Sequence, residues 1–226
     1  MIEDVETILL AAGDAPSHQV PVRLFRSARR IVACDGAWRT ALALGRAPDV
    51  VVGDGDSLEE DDRKELSRRG IPLVAEQEQE TNDLCKAFRY ALREGWGGNM
   101  AILGATGRRE DHAIGNIFHL VDFAQSCLEK ESSVSVAMVT DTGVFDPVLP
   151  PGRSWTAVGA GIPVSIFAPF PGTEMVSEGL FWPLKGVAFD ALWRGTLNRT
   201  VADSFSVATN RPVVVYRLHT PPTRFG

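Results

Sequence analysis

Apolar runs rich in β-branched residues punctuate the first 140 residues: TILLAAG (7–13), IVACDG (31–36), VVVGD (50–54), IPLVA (71–75), MAILGATG (100–107) and VSVAMVT (134–140). They are nearly continuous rather than alternating, which predicts strands of a parallel sheet covered on both faces. Between them apolar residues return at helical spacing. In NDLCKAFRYALREG, Leu84, Ala87, Phe88 and Ala91 recur at i, i+3, i+4 and i+7, with Asn82 placed as N-cap and Gly95 as C-cap. In DHAIGNIFHLVDFAQSCLEK the stripe is Ile114, Ile117, Val121, Ala124 and Leu128.

The pattern changes at TGVFDPVLPPGRSW, where Pro147, Pro150, Pro151 and Gly152 break any periodicity and predict a linker. Beyond it SIFAPF, GLFWPLKGVAF, DSFSVAT and RPVVVYRL read as short strands separated by turn residues. The expected fold is therefore α/β: an N-terminal parallel-sheet α/β domain over residues 1–146, followed by a C-terminal all-β sandwich domain over 153–226. A β module of that size is expected to cap or complete something rather than act alone.

Composition narrows the setting. With 226 residues, 44% apolar and 23% charged, the chain can bury one sizeable core or two modest ones. The formal net charge of -6 and the lack of a long basic run argue against a polynucleotide partner. Cys34, Cys85 and Cys127 are widely spaced and form no C-x-x-C pair, which fits a reducing compartment rather than a disulfide framework. The start, MIEDVETILLAAG, lacks a basic secretory n-region. No apolar run approaches the roughly 20 residues a membrane helix needs. The expected location is the cytoplasm.

In an open parallel sheet, ligands bind at the carboxyl ends of the strands. Four such places carry unusual residues: CDGAW, GDGDS, EQEQETND and GATGRREDH. Asp54 and Asp56 stand two apart and can face one point. At about 4 Å two like charges repel by roughly 4 kcal/mol at an effective dielectric near 20. A shared proton, an arginine or a divalent cation could offset this. Carboxylate oxygens without a neighbouring His or Cys favour Mg²⁺, which brings phosphates with it. Taken alone, the same residues also fit a surface turn. Asp83 opens a helix, where backbone N–H groups favour anions, and Lys86 follows one turn on; a cap and a solvated lysine would look the same. Gly104, Ala105 and Gly107 let backbone amides approach a phosphate, and Arg108 and Arg109 supply charged donors. Together the segments imply a Mg²⁺–nucleotide site.

In order and spacing, ACDGAW, PDVVVGDGDS, EQETNDLCKA and GATGRREDH resemble the motifs of the thiamin pyrophosphokinases (thiamin diphosphokinases). GLFWPL and GTLN resemble that family's small β-domain, so the likeness covers nearly the whole chain. The resemblance implies an enzyme that transfers diphosphate from ATP to the hydroxyl of thiamin, giving thiamin diphosphate and AMP, with Mg²⁺ as cofactor. It places Asp54, Asp56 and Asp83 around the metal, with Arg109 beside them in catalysis. Asp35 and Gly36 lie near the same site, and Gly104, Thr106, Gly107, Asp111 and His112 hold ATP phosphates or line the pocket. Gln79 and Lys86 face the transferred group or thiamin, and Trp182 and Asn198 help enclose thiamin. In the family a partner subunit supplies part of that wall, which implies a homodimer.

Four positions depart from the motifs. Gly55 replaces a bulky residue, Arg108 replaces a glycine, Glu80-Thr81-Asn82-Asp83 replaces a more acidic segment, and Leu197 replaces a serine. Leu197 leaves the acceptor open between thiamin and another small alcohol such as a hydroxymethylpterin. A non-catalytic nucleotide-binding module is the alternative from another class; retention of the three aspartates and Arg109 argues against it.

Overall fold

The computed structural model describes residues 4–78, 80–129 and 134–220. Its first part runs β1 (Val5–Leu10), α1 (Gln19–Ser27), β2 (Arg30–Cys34), α2 (Trp38–Ala43), β3 (Val50–Gly53), α3 (Glu60–Arg69), β4 (Leu73–Ala75), α4 (Asp83–Arg93), β5 (Asn99–Leu103), α5 (Glu110–Glu129) and β6 (Ser135–Val139). The apolar runs have thus become strands that end before their small or polar tips. Then follow β7 (Gly143–Val148), β8 (Gly152–Trp155), β9 (Pro163–Phe167), β10 (Met175–Glu178), β11 (Gly195–Arg199), β12 (Phe205–Thr209) and β13 (Val213–Leu218). Two compact units result, chiefly Ile2–His119 with Cys127–Asp141, and Thr142–Gly226 with Leu120–Ser126. No helix among the described residues is long and apolar enough to cross a membrane.

In the first unit the strands lie in the order β6-β5-β1-β2-β3-β4, all parallel. Ile8, Leu9, Ile31, Val32, Val51 and Ile102 are fully buried, as a sheet covered on both faces requires. Each contributes about 1.5–3 kcal/mol by leaving water. The chain moves outward from β1 through β4, then returns to place β5 on the other side of β1. That reversal opens a crevice beyond the ends of β1 and β5, where ligands of such sheets bind.

The α4 helix buries Leu84, Ala87, Phe88 and Ala91 as the periodicity predicts. Asn82 caps it, accepting the Cys85 N–H at 3.0 Å, and Gly95 follows its end at φ +66. In α5 only Val121 of the expected stripe is buried. Ile114 and Leu128 are 59% and 66% exposed, while Asn116, Leu120, Phe123 and Cys127 are buried. The helix carries apolar residues nearly all round, so spacing alone did not single out a face.

The second unit is a β-sandwich. One sheet has the order β11-β9-β13-β7, the other β10-β12-β8, all antiparallel. Val164, Ile166, Val213 and Val215 of the first sheet share a core with Trp155, Met175, Phe205 and Val207 of the second. The proline-bearing stretch expected as a linker is largely strand: Pro147 lies inside β7 and Gly152 opens β8. The segment GLFWPLKGVAF, expected as a strand, runs instead as bends and turns after β10, with a single bridge from Leu180 to Thr200. Its proline and glycine prevent regular pairing.

Candidate active site

Two loops meet at the reversal of the sheet. The Ala11 N–H donates to Leu103 O at 2.9 Å, Gly13 N–H to Gly104 O at 2.7 Å and Asp14 N–H to Thr106 O at 2.9 Å. The loop after β1 is therefore zipped to the loop after β5. The fit depends on missing side chains. A Cβ at Gly13 would lie 2.4 Å from Thr106 O and 2.5 Å from Gly104 O. We expect Gly13→Ala to cost about 2–3 kcal/mol, read by urea unfolding, because both obstacles are backbone and cannot swing aside.

The second loop is left-handed at Gly104 (φ +63), Gly107 (φ +78) and Arg108 (φ +57). Arg108 thus adopts the conformation for which the motif's glycine is suited. Beyond it Arg109 pairs with Asp111, its Nε donating to Asp111 Oδ1 at 3.1 Å, and holds that carboxyl down to about 2. Both side chains are exposed at the start of α5.

The carboxylates come from the ends of β2 and β3. Asp35 is buried, and its Oδ2 accepts the Gly55 N–H at 2.9 Å and the Ser57 hydroxyl at 3.3 Å. Its other oxygen, Oδ1, is buried without a hydrogen-bond partner among the described residues. Ligand oxygens of Asp35, Asp54 and Asp56 lie within 4.8 Å of one another. Burial raises the Asp35 pKa, and the charge of Asp83 adds to the shift. The orphan oxygen, the acidic cluster and the absence of His or Cys from it fit a hard divalent cation.

Lys86 offsets the charge on the other side. It is buried in α4, with Nζ 3.0 Å from Asp54 Oδ2 and 3.2 Å from Asp83 Oδ1. Its hydrogen bond holds Asp54 down to about 2, assisted by the Asp56 N–H. Asp83 is raised, because burial outweighs the same lysine. Burial pulls the Lys86 ammonium down, but the two carboxylates outweigh it and leave it above its ordinary value. Asp83 therefore stands beside the tight carboxylate group, joined to Asp54 through Lys86, while Asp35 takes a place in that group.

Asp54, Asp56, Asp83, Lys86, Gly104, Gly107, Arg109 and His112 line one pocket of about 420 Å³. Asp35, Gly36, Thr106 and Asp111 are not among its lining residues. Trp182 and Asn198 belong to the second unit, where Asn198 clamps the Trp182 backbone, accepting its N–H at 3.1 Å and donating to its carbonyl at 2.8 Å. Gln79 lies outside the described residues. Sequence reasoning missed the loop of Ala11, Ala12 and Gly13, which also lines the pocket. The strand-end rule would have found it, since TILLAAG ends in glycine as MAILGATG does.

At Gly55 the departure from the motif has a partner. Gly55 sits at φ +78, and Arg63 of α3 donates from Nη2 to its carbonyl at 2.5 Å. A Cβ at Gly55 would lie 2.7 Å from that nitrogen.

Comparison with known proteins gives consistent findings. A family model described as thiamin pyrophosphokinase, catalytic domain, matches residues 22–130, and one described as thiamin pyrophosphokinase, substrate-binding domain, matches residues 143–216. Thiamine pyrophosphokinase 1 of Oryza sativa subsp. japonica is 36% identical over 83 residues, 34% of this chain and 31% of the rice protein. The alignment thus spans about a third of that relative's length. Among solved structures, thiamine pyrophosphokinase from Bacillus subtilis is similar with a TM-score of 0.74 at 20% identity, covering 94% of this chain and 99% of that one. The yeast thiamin pyrophosphokinase gives 0.74 at 17% identity, with 96% and 87% covered. The likeness to these structures shows the shared fold.

Proposed function

The chain belongs to the thiamin pyrophosphokinase family, and from that premise we propose that it transfers the diphosphate of ATP to the hydroxyl of thiamin, releasing AMP. The observation that carries this reading is one pocket with a carboxylate cluster and Lys86 alongside the glycine-arginine loop. Transfer of this kind depends mainly on positioning and charge neutralisation. The acceptor oxygen forms a bond to the β-phosphorus as the bond from that phosphorus to the α–β bridging oxygen breaks.

In this reading Asp54 and Asp56 hold Mg²⁺, with Asp35 completing the group and Asp83 close by. Bound there, Mg²⁺ supplies positive charge to phosphate oxygens. Amides of the loop from Gly104 to Gly107 cradle the phosphates, and Arg109 turns from Asp111 toward them. Lys86 keeps Asp54 ionised and aimed into the pocket. Gln79, Trp182 and Asn198 are assigned to the acceptor side by the family's motifs.

We assign nucleotide and metal binding to residues 1–146, and thiamin binding and dimerisation to residues 153–226. A cytoplasmic homodimer is part of the proposal. Large apolar side chains exposed in the single chain support a partner: Leu197 is 84% exposed, Trp193 63% and Trp182 55%. A hydroxymethylpterin acceptor is not favoured, because the match to the thiamin pyrophosphokinase substrate-binding domain extends through residue 216.

The test is incubation with ATP, Mg²⁺ and thiamin, with product masses read directly. Thiamin diphosphate and AMP in equal amounts are expected. Thiamin monophosphate with ADP, or unconsumed thiamin, would overturn the reading.

A further inference from the structure

A chain of amide hydrogen bonds crosses the pocket wall. Asn116 lies on the first half of α5, 7% exposed, and its Nδ2 donates to the Ala105 carbonyl at 3.0 Å. Its Oδ1 accepts from Asn82 Nδ2 at 2.9 Å, and Asn82 Oδ1 accepts the Cys85 N–H at 3.0 Å. Both ends of this chain are backbone groups of fixed polarity. Ala105 O can only accept, and Cys85 N–H can only donate. The orientation of both amides is therefore determined: flipping either one sets acceptor against acceptor or donor against donor.

The two anchors belong to different parts of the site. Ala105 stands in the glycine-arginine loop, between the left-handed Gly104 and Gly107. Cys85 lies in the first turn of α4, which also carries Asp83 and Lys86. Asn82, Ala105 and Asn116 all line the same pocket. We infer that Asn116 is a positioning residue: through Asn82 it sets the spacing between the loop and the acidic start of α4. An amide suits this role because it offers a donor and an acceptor at one rigid end. The inference rests on the diphosphotransfer reading, in which those two elements must be held in register; a displacement near 1 Å can cost up to about a hundred-fold in rate.

Asn82→Ser isolates the effect. Serine caps a helix about as well as asparagine, so the Cys85 N–H stays satisfied while the donor to Asn116 is lost. Asn116→Asp is the companion change: it keeps the size and the acceptor toward Asn82, but turns a carboxylate oxygen on Ala105 O. Each single variant is expected to raise KM for ATP and lower kcat by about ten-fold each, with the melting temperature of Asn82→Ser nearly unchanged. The double variant is expected to be no worse than Asn116→Asp, because both cut one chain. Wild-type kcat and KM in Asn82→Ser, or single effects that multiply in the double variant, would overturn the inference. Calorimetric titration with MgATP separates this from the function itself. If the wild type makes no thiamin diphosphate, the activity reading falls, while about ten-fold weaker MgATP binding by Asn82→Ser still supports the relay and equal binding removes it.

Discussion

Asp56→Asn is expected to yield a folded protein that makes almost no AMP from ATP, thiamin and Mg²⁺. The Asp56 side chain is exposed, and its backbone N–H, which donates to Asp54 Oδ1 at 3.1 Å, is untouched by the change. Asparagine keeps the size and removes one charge from a group of three carboxylates. Without metal that change relieves repulsion, so stability should move by no more than about 0.5 kcal/mol. With metal and nucleotide it removes a hard anionic ligand from the place where phosphate charge must be balanced. Loss of one such electrostatic contribution lowers turnover by about a hundred- to a thousand-fold. Chromatographic AMP release alongside thermal unfolding decides the matter. Near-wild-type turnover in a folded variant would take Asp56 out of the metal site.

Lys86→Met should damage both fold and activity. The ammonium is 2% exposed and bonded to two carboxylates, of which Asp54 is 12% and Asp83 33% exposed. Methionine fills the space but leaves both carboxylates without their cation. Breaking a fully buried pair this way costs about 3–5 kcal/mol; partial exposure of the partners reduces that to about 2–3 kcal/mol here. A pH signature accompanies the loss. Asp54 is held down to about 2 in the folded protein, against an ordinary value of 3.8. Its ionisation therefore stabilises the fold above about pH 4, a contribution lost as the pH falls through about 2. In the variant the lysine's share of that contribution, the largest, is lost, so stability between those limits should depend less on pH. Urea unfolding across the range measures it, and an unchanged slope would show that Lys86 does not set the Asp54 pKa.

The two cases also show what was legible in advance. The pairing of Asp54 with Asp56 followed from a two-residue spacing at a strand end. The proximity of Lys86 to Asp83 followed from one helical turn. The bond from Lys86 to Asp54 did not, because it spans 32 residues and depends on how α4 packs against β3. Asn116 was hidden for the same reason, its partner Asn82 being 34 residues away. In the second unit, GLFWPLKGVAF resembled a strand because aromatic and β-branched residues favour strands. Its Phe181 and Trp182 are instead exposed on a turn held by Asn198. Conversely MVSE and GTLNR are strands although their composition is half polar, and β11 reaches β9 only through a register shift between Gly195 and Asn198. Leu197, at φ +64, falls inside that irregularity. Local pattern specified the elements that bury continuous apolar surface; pairing across the chain specified the rest.

The Gly55–Arg63 contact carries an evolutionary consequence. A large side chain at the first position needs both a different backbone angle and the volume that the guanidinium now fills. The two sites should therefore covary. Homologues with a bulky residue between the paired aspartates should lack an arginine at the α3 position, and lineages that acquired the glycine should have gained the arginine in the same interval.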